Sequence, residues 1–564
     1  MVETTVGLAL KEYGSSLEIA STAAIEKKGR TDEVRVLFDG SNGLDLNPGI
    51  RVRDQVKYPT AADTKGVMAE AADEGGPHFS LFYDILKAHR RCAVDRSDWG
   101  RQACQIKGTA AGAARAALEK DAKIKRMVFE STGTRQKARL KPRVDDLSQE
   151  VLDEPLWLNK VGTFGVASAG YWWGRAGACA IRLTHYAAGH LHAIWAMLYS
   201  DDGWLIGRGE HYEFNLLLHF FVLMIVGTPL AWHKVGGGLE VDWIGYYLDV
   251  GRFEVGINDA RATWARRWLS DKIRERTVAL GELREGLGRL QFLAGPLEHL
   301  RPFLGPLYAW SCAGHRFLKP KLPVMLLLVM QFLETELGRS HMVTCKGGTK
   351  DLGELFRLDA KAEGEDVAIG GWLCRGISRT RDAPWFAVRL NRRNAPWAFS
   401  RGEAFRTIAS LELLGALVSL MVLGPVPAGC ESLIGTMSFT CGTDNRSNTY
   451  LLDKMMTTKY PLGVVLMELA AQTRLRGMVL RARWLPRLQN EEADALSNFE
   501  FDAFDPKLRI DAELENLPFV LLNDLFQVGD QYIAELDAVK KAKTVGQEAT
   551  KAKKGLSLRE RDPW

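Results

Sequence analysis

Two adjacent aspartates, Asp201-Asp202, stand between the apolar run Leu191–Tyr199 and the shorter run Trp204–Ile206. An apolar run, two carboxylates with a glycine at Gly203, and a second apolar run form the pattern of a β-hairpin with both acids at its tip. Two carboxylates about 4 Å apart repel by roughly 4 kcal/mol at an effective dielectric of 20. Such a tip is costly unless a cation or a proton neutralises it, which favours a metal site. On the pair alone an ordinary polar turn stays open, because Asp145-Asp146 is a second instance of the same dipeptide.

Two earlier segments strengthen the metal reading. Leu81–Ala88 reads as a second apolar strand ending in an aspartate, Asp84, and Gly162–Ala169 as a small-residue turn entering a helix. Mg²⁺ prefers carboxylate oxygens, water and phosphates in octahedral geometry, and pairs of such ions serve nucleotidyl transfer.

The whole chain sets outer bounds. Its 564 residues allow about three or four domains, and 46% apolar with 25% charged residues is a globular balance. The net charge of +5 is no polycation's, but the basic residues cluster. Lys107 to Arg143 holds eleven Lys/Arg against three Asp/Glu, and Ala538 to Arg561 holds eight against two, reading as a mobile basic tail. The first stretch reads as a solvated charged face or a template–primer contact. Eight cysteines without CxxC spacing suggest a reducing compartment. The apolar stretch Phe214–Val226 has only thirteen residues and contains His219, short of the roughly twenty that span a bilayer. Met1–Glu26 carries Glu3, Lys11, Glu12 and Glu18 without a long apolar core, unlike a signal peptide. A soluble intracellular protein, cytoplasmic or nuclear, is expected.

In the second half, Asn258 is a plausible N-cap for two helices over 258–301 that would fit a hairpin. Beyond Gly348 the pattern turns to strands at Glu354–Ala360, Val367–Cys374 and Trp385–Leu390, then an apolar helix over Gly402–Val422. A strand at Met437–Gly442, helices near 448–458 and 461–476, a strand at 478–485 and a last helix from about 490 follow. This is a mixed α/β domain of about 150 residues.

That domain places a second set of acids: Asp359 in its first strand, Glu412 on the apolar helix, Asp444 after the fourth strand and Asp494 on the last helix. Asp494 also suits a helix N-terminus for dipole reasons alone. Glu412, between Leu411 and Leu413, is harder to explain as decoration, because buried carboxylates seldom go unpaired. His185, His190 and His192 read as core packing, and Gly236-Gly237-Gly238 as a turn.

Taken together, these motifs resemble, in family order, a retrotransposon-type reverse transcriptase with a fused ribonuclease H. Tyr199-Ser200-Asp201-Asp202 is similar to that family's metal-binding hairpin, Asp84 to its first metal-binding strand, and Gly162–Ala169 to its template-and-nucleotide turn. Val34–Gly40 with Arg35 resembles the fingers strand that holds the triphosphate, and Lys28 a second phosphate-binding base. Trp232-His233-Lys234, Trp243–Leu248 and Leu300–Gly305 resemble the palm lysine turn, the primer-grip hairpin and a thumb motif. Trp484-Leu485-Pro486 and Asn490–Ser497 are similar to the ribonuclease H's final strand and helix.

The resemblance implies an α/β and α+β multidomain fold: fingers and palm over 1–250, thumb and connection over 251–348, a ribonuclease H-like mixed sheet over 349–505, and an extension with a basic tail over 506–564. It implies an RNA-directed DNA polymerase with ribonuclease H activity, using two Mg²⁺ per site, with Mn²⁺ as a substitute. Its ligands would be Asp84, Asp201 and Asp202 in one site and Asp359, Glu412, Asp444 and Asp494 in the other. Lys28, Arg35, His89, Phe164, Gly165 and Lys234 would face the nucleotide. Partners would be an RNA template, a DNA primer, dNTPs and the RNA–DNA hybrid. Three departures are visible: His89 stands where the family has an aromatic that excludes the ribose 2′-hydroxyl, the interval from Asp84 to Phe164 is longer than the family's by roughly the 107–143 basic stretch, and Arg487-Leu488-Gln489 lacks a loop histidine. These motivate an alternative, a domesticated element protein that binds RNA or hybrid without polymerising.

Overall fold

The first half of the chain holds the strands β1 (Val2–Thr5), β2 (Ile19–Lys27), β3 (Arg30–Asp39), β4 (His78–Asp84), β5 (Ala103–Cys104), β6 (Pro155–Leu158), β7 (Ile194–Tyr199), β8 (Asp202–Arg208) and β9 (Gly236–Gly238). The computed structural model describes residues 1–27, 30–40, 46–105, 147–346, 349–400, 402–425 and 436–547. Lys28, the 107–143 basic stretch and the tail beyond Gln547 lie outside the described residues. The chain divides into two compact units, Met1–Pro59 with Gly76–Gly238, and Thr60–Gly75 with Leu239–Trp564. The whole is a mixed α/β protein with two sheets in each unit.

In the first unit the sheets have orders β1-β6-β5-β2-β3 and β7-β8-β4-β9. The second carries the expected hairpin, β7 pairing antiparallel with β8. Helices α1 (Ala167–Ala188) and α2 (Tyr212–Ile225) pack on one another and on this hairpin. Tyr83, Ile85, Trp173, Leu205, Leu216, Phe220 and Leu223 form the core between them; each such side chain, fully buried, contributes roughly 1.5–3 kcal/mol. The glycine triplet is not a turn: β9 pairs with β4, Gly238 opposite Ser80 and Gly236 opposite Phe82. A Cβ at Gly236 would lie 2.5 Å from the Phe82 ring, so the absent side chains are what let this strand close on β4.

The second unit opens with the meander β10 (Glu240–Trp243), β11 (Tyr246–Asp249), β12 (Glu254–Gly256) and β13 (Met342–Thr344). Ile244 and Gly245 turn β10 into β11 with φ of 46° and 90°, the two positive values that a tight hairpin turn requires. Helices α3 (Asp259–Glu275), α4 (Leu280–Leu293), α5 (Arg301–Ala313) and α6 (Val324–Arg339) lie between β12 and β13. Asn258 caps α3, its side chain accepting the Arg261 N–H. The expected hairpin of two helices forms: the chain turns at Arg276 (φ 54°), and α3 meets α4 antiparallel through Lys272–Glu282 at 2.6 Å, the Trp268 ring against Gly286 and Arg289 over the Trp264 ring, while α3 also packs on α6 and α4 on α5.

The remaining strands are β14 (Thr349–Glu363), β15 (Asp366–Leu373), β16 (Trp385–Leu390), β17 (Thr436–Thr443) and β18 (Met478–Trp484), in the order β16-β15-β14-β17-β18. β14–β15 and β15–β16 are antiparallel, whereas β14–β17 and β17–β18 are parallel. The parallel pairs need crossovers, supplied by α7 (Ile408–Val422), then α8 (Arg446–Lys454) with α9 (Leu462–Arg476). Helices α10 (Glu491–Ser497) and α11 (Leu522–Gln547) follow. One hydrophobic core runs from Ile257 to Leu536, joining α3–α6, the five-stranded sheet and α11.

Two sequence expectations change here. Ala404–Val422, not Phe214–Val226, is long and apolar enough to cross a membrane, and 67% of its most apolar window is buried inside the unit. Ala538 onward is not wholly a tail, because α11 continues to Gln547. Its start is held by the buried Glu468 of α9, whose carboxylate accepts the N–H groups of Val520, Leu521 and Leu522 at 2.7–2.9 Å. Tyr532 donates to the Pro306 carbonyl at 3.0 Å. The seven described cysteines are free thiols.

Candidate metal centres

In the first unit, β4 ends at Asp84, directly opposite Asp202 at the start of β8. Asp201 sits in the hairpin turn beside Ser200, whose φ is 57°. Two hydrogen bonds hold that turn. The Ile85 N–H donates to the Asp201 carbonyl at 2.8 Å, and the Trp173 indole N–H donates to the Ser200 carbonyl at 2.7 Å. At Gly203 a Cβ would lie 2.0 Å from the Tyr83 ring, so the glycine is a steric requirement of the hairpin.

Lys234, on a short turn before β9, reaches Asp84 Oδ2 at 2.6 Å. Burial, with the charges of Asp201 and Asp84 adding to it, raises the Asp202 carboxyl above its usual range, and Lys234 opposes the shift. His89 stands five residues beyond Asp84, its ring edge-on to the exposed Phe164 at 6.0 Å. Gly165 has φ +103°, and a Cβ there would be 1.9 Å from the Phe38 carbonyl oxygen. Asn47 fixes this turn from far away in sequence, donating to the Gly165 carbonyl at 2.8 Å and accepting the Ala167 N–H at 2.9 Å. Arg35 lies on β3 opposite Ile25.

In the second unit, Asp359 on β14, Glu412 on α7 and Asp444 beyond β17 bring one carboxylate oxygen each to within 4.8 Å of one another. Asp359 and Glu412 are buried. Ser497 donates to Asp359 Oδ2 at 2.6 Å, and Thr443 donates to Glu412 Oε2 at 3.2 Å. Burial, reinforced by Asp444 and Asp494, pushes the Asp359 carboxyl up to about 7 against the opposing Ser497 hydrogen bond. Burial, with Asp359 and Asp444, raises Glu412 well above the usual range. Asp494 is not one of the three that converge. Its Oδ1 accepts Arg487 Nε at 3.0 Å, and its Oδ2 accepts Asn498 Nδ2 at 3.2 Å.

Buried carboxylates that hold protons because they repel one another are matched by a cation that prefers hard oxygen donors. The residues of the 359–412–444 group therefore fit a divalent ion. Among the described residues it is the one group of three or more acidic, His or Cys side chains gathered this closely. Asp84, Asp201 and Asp202 share a hairpin tip without meeting that measure, and Lys234 occupies one oxygen of Asp84.

Several neighbours carried no role in the sequence reading. Ser497 lies three residues after Asp494 on one helix, a spacing that puts both on one face, and this was the available signal. Thr443 and Asn47 act through tertiary contacts that no local pattern announces. The histidine expectation fails for two of its three members: His185 and His190 sit on exposed positions, whereas His192 is half-buried with its ring 5.3 Å from that of Phe214, and the fully buried histidine among the described residues is His219. It is satisfied on both nitrogens, by Thr184 Oγ1 at 3.0 Å and Tyr83 OH at 2.8 Å, and burial lowers its pKa to about 4.

No family model matches this sequence, and no curated protein does. Solved structures do match in three dimensions. A foamy viral protease-reverse transcriptase in complex with double-stranded DNA is 11% identical with a TM-score of 0.40, covering 86% of this chain and 67% of that one. A second, in complex with RNA/DNA hybrid, is 11% identical with a TM-score of 0.39, covering 83% of this chain and 51% of that one. A third, with double-stranded DNA, is 11% identical with a TM-score of 0.39, covering 86% and 80%. At these scores the likeness decides neither family nor activity.

Proposed function

We propose that this chain is an RNA-directed DNA polymerase with a fused ribonuclease H, copying a retroelement RNA and degrading the RNA of the hybrid. What carries the reading is that carboxylates far apart in sequence are folded onto one another at two separate places, Asp84 against Asp202 and Asp359 against Glu412 and Asp444. The motif order along the chain supports it; on this reading fingers and palm would occupy 1–250, thumb and connection 251–348 and ribonuclease H 349–505.

Asp84, Asp201 and Asp202 would hold Mg²⁺ in the first site, and Asp359, Glu412 and Asp444, with Asp494 as an outer member, in the second. Bound there, two metal ions supply activation of the attacking oxygen and stabilisation of the leaving one. The chain's own groups orient the reactants. Arg35 and Lys28 take the triphosphate, Phe164 and Gly165 the template-facing side, and His89 the sugar edge of the dNTP. Lys234 balances Asp84 until a cation replaces it.

Primer extension on an RNA template with dNTPs and Mg²⁺ tests the reading, against a D201N/D202N variant. Extension by the parent protein alone supports it. Failure of both proteins while each still binds primer–template supports the second reading, a hybrid-binding element protein that does not polymerise. The observation favouring that second reading is the Lys234–Asp84 pair, which satisfies Asp84 without a metal.

A further inference from the structure

Beside Asp444 the second unit presents a row of exposed rings and a cation. Trp484, the last residue of β18, donates its indole N–H to the Asp444 carbonyl at 3.0 Å, yet the residue is 47% exposed. Arg446, in the first turn of α8, places its guanidinium 6.0 Å from the centroid of the Trp484 ring. Tyr450, 54% exposed, lies four residues further along α8, on the same face as Arg446. Burying a Trp ring is strongly favourable, so leaving one half exposed in a fixed orientation next to three converging carboxylates calls for a ligand.

We propose that Trp484, Arg446 and Tyr450 form a stacking platform for one strand of the nucleic-acid substrate, leading that strand toward Asp444; this rests on the ribonuclease reading above. Aromatic faces accept any base or the apolar edge of a sugar, and an arginine between them takes the backbone phosphate while stacking in its own right. The indole N–H bond matters for a different reason. It orients the ring, so the platform costs little ordering entropy when the strand arrives. Trp484 is a binding residue in this account; it also touches the backbone of a candidate metal ligand, and the two roles separate experimentally.

The test measures binding of a fluorescein-labelled RNA–DNA hybrid to the full-length protein by anisotropy, with Ca²⁺ replacing Mg²⁺ to prevent turnover, for the parent protein and W484A, W484F, R446A and Y450A. Circular dichroism melts establish that each variant is folded. The platform predicts that W484A weakens binding about 10-fold and Y450A about 3-fold, while W484F, which keeps a ring but loses the N–H, stays within about 3-fold. R446A should also flatten the dependence of affinity on salt. Equal affinity of parent protein and W484A overturns the platform, even if cleavage is intact and depends on Asp444. In Mg²⁺, W484F with lowered kcat and unchanged KM, alongside unchanged W484A affinity, would make Trp484 a positioning residue for Asp444 instead. If the parent protein shows no Asp444-dependent cleavage while W484A still weakens hybrid binding, the ribonuclease reading falls and the platform stands. A parent protein that does not bind hybrid overturns both.

Discussion

At the end of β4 in the first unit Asp84 holds Lys234 at 2.6 Å, whereas the buried Asp359 and Glu412 of the second unit accept from the hydroxyls of Ser497 and Thr443. Among the described residues neither of these buried acids, nor Asp444, forms an ion pair, although Asp494 beside them is paired with Arg487. At the first site the Lys234–Asp84 pair, half exposed on the lysine side, is worth little in stability and is easily exchanged, and it opposes the burial and like charges that raise Asp202. The second is a group whose like charges are confined in a dry place, so it must hold protons or a cation. Removing charge should therefore have opposite consequences for stability at the two sites.

The largest expected effect is at the second site. Glu412→Gln or Asp444→Asn should reduce hybrid cleavage in Mg²⁺ by about 10³-fold, roughly 4 kcal/mol of transition-state stabilisation. The same Glu412→Gln change should raise the melting temperature in EDTA, because it removes one of the repelling charges. A lowered Tm in EDTA would break the comparison.

A third buried carboxylate sharpens it. Glu468 is also fully buried, but three backbone N–H groups and the Gln472 side chain answer its charge. Glu468→Ala should then cost about 3 kcal/mol in urea unfolding, with or without Mg²⁺. Mg²⁺-dependent rescue of that variant would show that the two kinds of burial are not distinct.

The pH dependence is a smaller effect, and its sign is fixed. The folded-state pKa of Asp359 lies near 7, above its ordinary value of 3.8. Its stabilising contribution is therefore fully present below about pH 4 and is lost as pH rises through 7. Metal-free protein should melt at lower temperature at pH 8 than at pH 5.5. Mg²⁺ should restore the loss mostly at the higher pH, and Asp359→Asn should flatten the profile. A melting temperature in EDTA that does not fall between those two pH values would remove this distinction. The smallest effect is at the first site: Lys234→Met should change urea stability by less than about 1 kcal/mol, since the lysine is half exposed. A cost of several kcal/mol would mean that the first site is as confined as the second.

Much of this was legible because local chemistry and tertiary role coincided. The Asp201-Asp202 hairpin, the Asn258 cap and the strand–helix succession after residue 349 follow from alternation, capping and turn residues, and they formed. What failed did so where tertiary packing overrode local pattern. Three glycines read as a turn became a strand because β4 needed a partner without side chains. For the candidate sites, the acids could be named from sequence but not their states: Lys234 on Asp84, and Arg487 on Asp494, are contacts that only folding reveals.

The chain's division also bears on how it emerges from a ribosome. Ala61–Asp73 forms a helix with a capping box at Thr60 and a fully buried Met68, yet it belongs to the later unit and packs on β12, which is made far later in the chain. At about 5–20 residues per second, that early segment must wait tens of seconds for its partners, while its neighbours on both sides can already fold as the first unit. A helix left waiting with an apolar face is a natural client for a chaperone, and synthesis rate is thus a variable in the yield of this protein.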